Sequence, residues 1–138
     1  MSTPETMRAA VLDEPGAFEL RDVPVPEPEP GEVLVRVRAC GICGSDLEIR
    51  DHGWLQDGTE YPLIPGHEWT GEVVETGPET YHFEPGDRVA DETHGGCGYC
   101  RNCKRGRYTA CLNYGERGKG HKHYGFTVDG GYATYCAI

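Results

Sequence analysis

Apolar and polar residues alternate along GEVLVRVRA (31–39), where Val33, Val35, Val37 and Ala39 face one way and Leu34, Arg36 and Arg38 the other. A period of two over that length predicts a half-buried β-strand. MRAAVL (7–12) reads as an earlier strand, and FELRDVPVP (18–26) as a second that EPEPG halts, since proline withholds a ladder donor. The β-branched half of YPLIPGHEWTGEVVETG (61–77) predicts another strand. EPGDRVAD (84–91) reads as a tight turn into a strand, and GGYATYCAI (130–138) as a last one. The one good short helix is SDLEIRDHG (45–53), with Ser45 or Asp46 as its cap. Residues 94–120 carry Gly, Cys and charge with neither period, and are expected to leave the sheet as an excursion. Twenty Gly and ten Pro among 138 residues agree with short strands joined by many turns. The expected class is mainly β, in one domain without an internal repeat.

Charge narrows the partners. Thirteen Lys and Arg against 23 Asp and Glu give −10, which argues against phosphate-backbone binding; one small basic patch remains at Lys104-Arg105-Gly106-Arg107. Nucleic acid is therefore not an expected partner. No apolar run approaches the roughly twenty residues of a membrane span, and MSTPETMRAAVL has acids and a proline where a signal peptide carries bases. The expected setting is cytoplasmic, with no membrane partner. Seven cysteines are many for such a protein, and an odd number cannot all close into disulfides, so metal coordination is the leading use.

In CGYCRNCKRGRYTAC, Cys97, Cys100, Cys103 and Cys111 stand as C-x2-C-x2-C-x7-C. Four thiolates in so short a run suit a closed tetrahedral Zn2+ site, where the metal supplies order that a small, polar, Gly-rich loop cannot draw from a core. An iron-sulfur cluster competes, because the first three cysteines match the start of the bacterial ferredoxin run. That run continues C-x3-C-P, whereas seven residues precede Cys111 here and Leu112 follows it. Zinc ribbons usually separate their two ligand pairs more widely. A zinc held by four thiolates has no open position, so it is structural and the chemistry must lie elsewhere.

ACGICGSD (39–46) leaves two readings open. A strand, C-x-x-C and a helix form the local picture of a dithiol redox site on Cys40 and Cys43, but one of these cysteines could instead hold a metal. GICGSD, PGHEWTGEVVETG, PGDRV, the four-cysteine lobe and GGYATY together resemble the zinc-dependent medium-chain alcohol dehydrogenase family, in its sorbitol or threonine dehydrogenase-like branch. The resemblance covers nearly the whole chain. It implies that residues 1–138 are the family's N-terminal catalytic domain, a GroES-like partly open β-barrel with a short helix and a structural-zinc lobe at about 94–114.

The same resemblance implies Cys43 as the first ligand of a catalytic zinc, His67 as the second, and Glu68 as the adjacent carboxylate that binds it directly or through water. A thiolate, an imidazole and a carboxylate are the mixed ligands of an open catalytic site. Singly, a His after Pro-Gly is usually a turn residue and a Glu is usually solvated, so the assignment rests on their joint occurrence. Ser45 is implied as the hydroxyl that bonds the substrate oxygen and passes its proton outward. Asp46 is implied as the acceptor for the far nitrogen of His67, although helix capping would explain either residue. Cys40 then becomes a small buried side chain. One position departs from the family: where many relatives carry a relaying His, this chain has Glu48. Glu48 or His52 could relay the proton, and an ordinary solvated side chain is the plainer reading of each. His121 and His123 in GHKHYG could border a pocket or bind metal, but are expected on a mobile surface loop. Glu92, Thr93 and His94 fall where relatives line the substrate pocket, and their polarity suits a polyol or sugar.

Complete enzymes of the family bind NAD or NADP on a Rossmann domain marked by G-x-G-x-x-G. No such fingerprint occurs in the 138 residues, so the chain is expected to be a catalytic domain without its cofactor domain, inactive alone and with a weak, open second zinc site. In the complete enzyme the implied reaction is oxidation of a secondary alcohol or polyol to a ketone. The alternative is a stand-alone zinc-binding β-barrel module with a binding or assembly role. Apolar surface left around the cleft makes a homo-oligomer plausible.

Overall fold

The computed structural model describes residues 3–52 and 59–138. Strands β1 (Thr6–Leu12) and β2 (Phe18–Pro24) form an antiparallel hairpin, and β2 ends two residues before the EPEPG stop expected for it. Strands β3 (Val33–Cys40) and β4 (Trp69–Thr76) form the centre of a four-stranded antiparallel sheet. Strand β5 (Arg88–Ala90) and strand β8 (Tyr135–Ala137) are its edges, in the order β5-β4-β3-β8. Helix α1 (Gly44–His52) follows β3 directly, and Gly53, the last residue of the predicted helix, lies outside the described residues. Strand β6 (His94–Gly95) pairs with strand β7 (Lys122–His123), closing the base of the excursion. Between them the chain makes only short 3-10 turns, at 103–105, 108–110 and 117–119.

The alternation expected in β3 holds only in part. Val33 and Val35 are buried, but so is Leu34, and Ala39 is exposed. The pairing with β4 shifts register between Leu34 and Val35 and again between Val37 and Ala39. The first shift inserts its extra residue, Val74, in β4; the second sets an extra residue in β3, so Cys40 rather than Ala39 joins Val33, Val35 and Val37 at the core, which periodicity alone does not reveal. The cap also differs from expectation. The helix begins at Gly44, so the capping position falls on Cys43, and Asp46 reaches back to accept the Cys43 backbone N–H at 2.8 Å. This is the return half of a capping box, with Asp in the place usually held by Glu or Gln.

Three apolar clusters hold these elements. Val33, Val35, Trp69, Val73 and Cys136 pack between β3, β4 and β8, and burial of each aliphatic side chain contributes about 1.5–3 kcal/mol. Met7, Ala9, Val11 and Ile64 pack beneath β1. Leu12, Ile49 and Phe126 form the third cluster, in which the buried apolar residue of α1 seats the helix against the body. The hairpin joins the sheet through backbone bonds, from Ala10 N–H to the Tyr132 carbonyl at 2.8 Å and from Thr134 N–H to the Arg8 carbonyl at 3.0 Å. The architecture is mainly β, and the described residues form no closed barrel. Among them no helix is long and apolar enough to cross a membrane.

Candidate metal centres

Two groups of potential ligands converge among the described residues. In the first, the sulfurs of Cys97, Cys100, Cys103 and Cys111 lie within 4.8 Å of one another, and none is in a disulfide. Tight turns bring backbone donors to these sulfurs: Cys103 N–H points at Cys100 Sγ and Asn113 N–H at Cys111 Sγ, both at 3.4 Å. The Asn113 amide donates to Cys97 Sγ at 3.3 Å. Donors from Cys103 and Leu112 lower the Cys100 thiol to about 6. Burial pushes the Cys103 thiol the other way, up to about 12, so the fit to a structural zinc rests on the closed shell of four converging sulfurs.

The second group is Cys43, His67 and Glu68, whose ligand atoms also lie within 4.8 Å of one another. Cys43 is presented by the start of α1, where Asp46 holds its backbone N–H, and His67 and Glu68 precede β4. His67 Nε2 stands 3.0 Å from Cys43 Sγ and 3.1 Å from Ser45 Oγ, while Ser45 Oγ is 2.8 Å from Cys43 Sγ. Nε2 therefore faces the ligand group and Nδ1 is the far nitrogen. Nδ1 lies 3.8 Å from Asp46 Oδ1, too long for a hydrogen bond, and neither atom has a hydrogen-bond partner among the described residues. A thiolate, an imidazole and a carboxylate, with the carboxylate on the exposed side, fit a metal site that keeps a position for substrate.

The remaining predicted residues divide. Glu48 Oε2 stands 3.9 Å from His52 Nε2 with both side chains exposed, the solvated arrangement expected. Cys40 is half-buried against the Trp69 cluster, and burial pushes its thiol up to about 11, the reverse of an activated dithiol. Thr93 donates its hydroxyl to the His67 carbonyl at 3.2 Å, and exposed Glu92 accepts from the Tyr108 phenol of the lobe. His121 and His123 are not surface-loop residues. Both are buried, with His94 4.3 Å from His123 by ring centroid and His123 stacked on Phe126 at 4.3 Å. They were misjudged because polar GHKHYG has no apolar signal of its own, whereas β7 pairing and the Phe126 ring enclose it. Burial, followed by the neighbouring histidines, depresses His123 to about 3, so it is neutral at ordinary pH. These histidines belong to neither ligand group among the described residues.

The family profile of the alcohol dehydrogenase GroES-like domain matches residues 29–138. The chain belongs to that family. An L-threonine 3-dehydrogenase from Streptomyces avermitilis is 46% identical over 135 residues, covering 96% of this chain and 37% of that protein. A cobalt- and zinc-bound thermostable alcohol dehydrogenase from Pyrobaculum aerophilum superposes with a TM-score of 0.81 at 34% identity, over 96% of this chain and 39% of that one. Acetophenone reductase from Geotrichum candidum, in complex with NAD, gives 0.84 at 31% identity, over 100% of this chain and 39% of that one. This alcohol dehydrogenase GroES-like domain thus spans little more than a third of the length of such relatives.

Sequence reasoning passed over Phe126 and Tyr132 at the second centre, and named Thr93 as a pocket residue without its tie to His67. Phe126 sets its ring 4.6 Å from that of His67, Thr93 holds the His67 carbonyl, and Tyr132 donates to the Gly41 carbonyl at 3.1 Å. GGYATY was visible as a motif, but nothing in its composition points back to residues about ninety positions earlier.

Proposed function

We propose that residues 1–138 are the metal- and substrate-binding domain of a zinc-dependent, NAD(P)-linked dehydrogenase that oxidises a small secondary alcohol or polyol to a ketone. The reading rests on one observation above all: Cys43, His67 and Glu68 bring three unlike ligand atoms within 4.8 Å, beside a separate four-thiolate group. Zinc bound at the mixed centre would supply Lewis acidity toward the alcohol oxygen. Ser45 Oγ, in contact with both Cys43 Sγ and His67 Nε2, is placed to accept the alcohol proton and pass it outward. Asp46 fixes the Cys43 backbone and so orients that ligand, while the hydrogen bond to the far nitrogen of His67 implied by the resemblance is not made at 3.8 Å. Glu92, Thr93 and His94, after β5, keep the polar residues the resemblance assigns to a hydroxyl-rich substrate, although Thr93 bonds the His67 carbonyl and Glu92 the Tyr108 phenol. Relatives named L-threonine 3-dehydrogenase and alcohol dehydrogenase, and neighbours solved with zinc or NAD, support this assignment. Cysteines used as metal ligands rather than as disulfides suit a cytoplasmic setting.

The test is to assay the product of the complete gene for NAD+ and NADP+ reduction with secondary alcohols, polyols and L-threonine, alongside the 138-residue domain. Zinc-dependent turnover by the complete protein and none by the domain is expected. Zinc binding without turnover of any alcohol by the complete protein would instead favour a binding or assembly module.

A further inference from the structure

We propose that Tyr132 is a positioning residue for the Cys43, His67 and Glu68 centre, holding from behind both backbone segments that carry its ligands. The inference rests on the metal reading given above.

The first contact is with the segment leading to His67. Tyr132 N–H donates to the Pro65 carbonyl at 2.9 Å, and Gly131 N–H to the Gly66 carbonyl at 2.8 Å. The Tyr132 ring lies flush on Gly66: a Cβ at that glycine would stand 2.8 Å from ring atoms Cγ and Cδ1. The second contact is with the segment leading to Cys43. The phenol O–H donates to the Gly41 carbonyl at 3.1 Å, and Gly41 N–H in turn donates to the Glu68 carbonyl at 2.7 Å. One side chain therefore closes a circuit through Gly41, Glu68, His67 and Gly66, joining loops that leave β3 and enter β4.

The hydroxyl is not a spare group in this circuit. Burial, and then the nearby Asp46 carboxylate, push the Tyr132 phenol above its ordinary range, so the O–H stays protonated and available to donate. Its single proton goes to Gly41, leaving Asp46 Oδ1 opposite His67 Nδ1. Phenylalanine at this position would keep the ring on Gly66 and lose only the tie to Gly41. The two halves of the role can therefore be separated.

The experiment uses the whole 138-residue chain with its lobe preloaded with zinc, titrated with Co2+ and followed by the ligand-field absorption of the mixed centre. For Tyr132→Phe, the lobe zinc and the melting temperature should be retained. Co2+ affinity at the mixed centre should fall about three- to tenfold, the loss expected for one hydrogen bond behind a ligand, with a shifted absorption band. Tyr132→Leu, which also removes the ring, should lower affinity further. Equal Co2+ affinity and an unchanged band in Tyr132→Phe would overturn the proposal. So would parallel loss of lobe zinc and melting temperature, which would mark Tyr132 as a fold residue only. A wild-type chain that takes up no Co2+ beyond its lobe zinc would overturn the metal reading itself, and the proposal with it.

Discussion

Gly66 turns the chain at φ +94° immediately before His67, and a side chain there has nowhere to go. A Cβ would stand 2.7 Å from Tyr132 N and 2.8 Å from the Tyr132 ring, so a backbone hydrogen-bonded on both strands would have to shift. Two costs add in Gly66→Ala. Holding an L-residue in the left-handed region costs about 1–2 kcal/mol, and forcing packed atoms apart about 1–3 kcal/mol. The total is about 2–5 kcal/mol. Gly31 isolates the first cost, because it has φ +84° but nothing within 4 Å of its would-be Cβ. Gly31→Ala should therefore lose only about 1–2 kcal/mol. Urea unfolding at fixed zinc measures both; with a slope of about 1.5 kcal/mol/M, Gly66→Ala should lower the midpoint by about 1–3 M. Zinc at the mixed centre should weaken in Gly66→Ala and not in Gly31→Ala, since only the former displaces His67. A Gly66→Ala protein no less stable than Gly31→Ala would refute the claim that Tyr132 and Gly66 are locked together.

Asp91 is half-buried and neither carboxylate oxygen has a partner among the described residues; burial, and then Glu92, raise it from 3.8 to about 6. A carboxyl whose folded value is raised stabilises the fold below its unfolded value, and that contribution is lost as pH rises through about 6. Two units correspond to about 3 kcal/mol, which solvent screening of a half-exposed group reduces to about 1 kcal/mol. Calorimetry of Asp91→Asn should accordingly show a gain of about 1 kcal/mol at pH 8 that shrinks toward pH 5. Ser45→Ala in the complete enzyme should cut kcat by about 10²–10⁴-fold with zinc content unchanged, as measured by steady-state kinetics and metal analysis. Cys103→Ser should release the lobe zinc, leave the mixed centre loaded, and expose residues 96–114 to limited proteolysis, read by mass spectrometry of the fragments.

Strands, class and the four-cysteine group were legible in the sequence because each has a local signature, whereas Cys43, His67 and Glu68 were legible only through the family resemblance. Alternation marked β3, and the cysteine spacing marked the lobe. What was not legible arises from contacts between distant segments. The bulge after Val37 depends on the pairing with β4, so Ala39 was assigned to the core face that Cys40 takes. His121 and His123 read as surface residues because their enclosure comes from Phe126 and His94. The cap fell on Cys43 because Asp46 satisfies a donor three residues back, a choice that composition alone leaves open. Tyr132 is the extreme case, an aromatic in a strand pattern whose partners are Gly41 and Gly66.

The central claim is that one chain holds two zinc sites of different chemistry. X-ray absorption at the zinc edge, on wild type and Cys43→Ala with matched metal counts, tests it directly. With zinc in excess, wild type should fill the weak mixed centre as well as the lobe, its average ligation then mixing sulfur at about 2.3 Å with nitrogen and oxygen near 2.0–2.2 Å. Cys43→Ala should carry one, ligated by sulfur alone. Retention of both zincs in Cys43→Ala, or an all-sulfur environment for both zincs in wild type, would contradict the account.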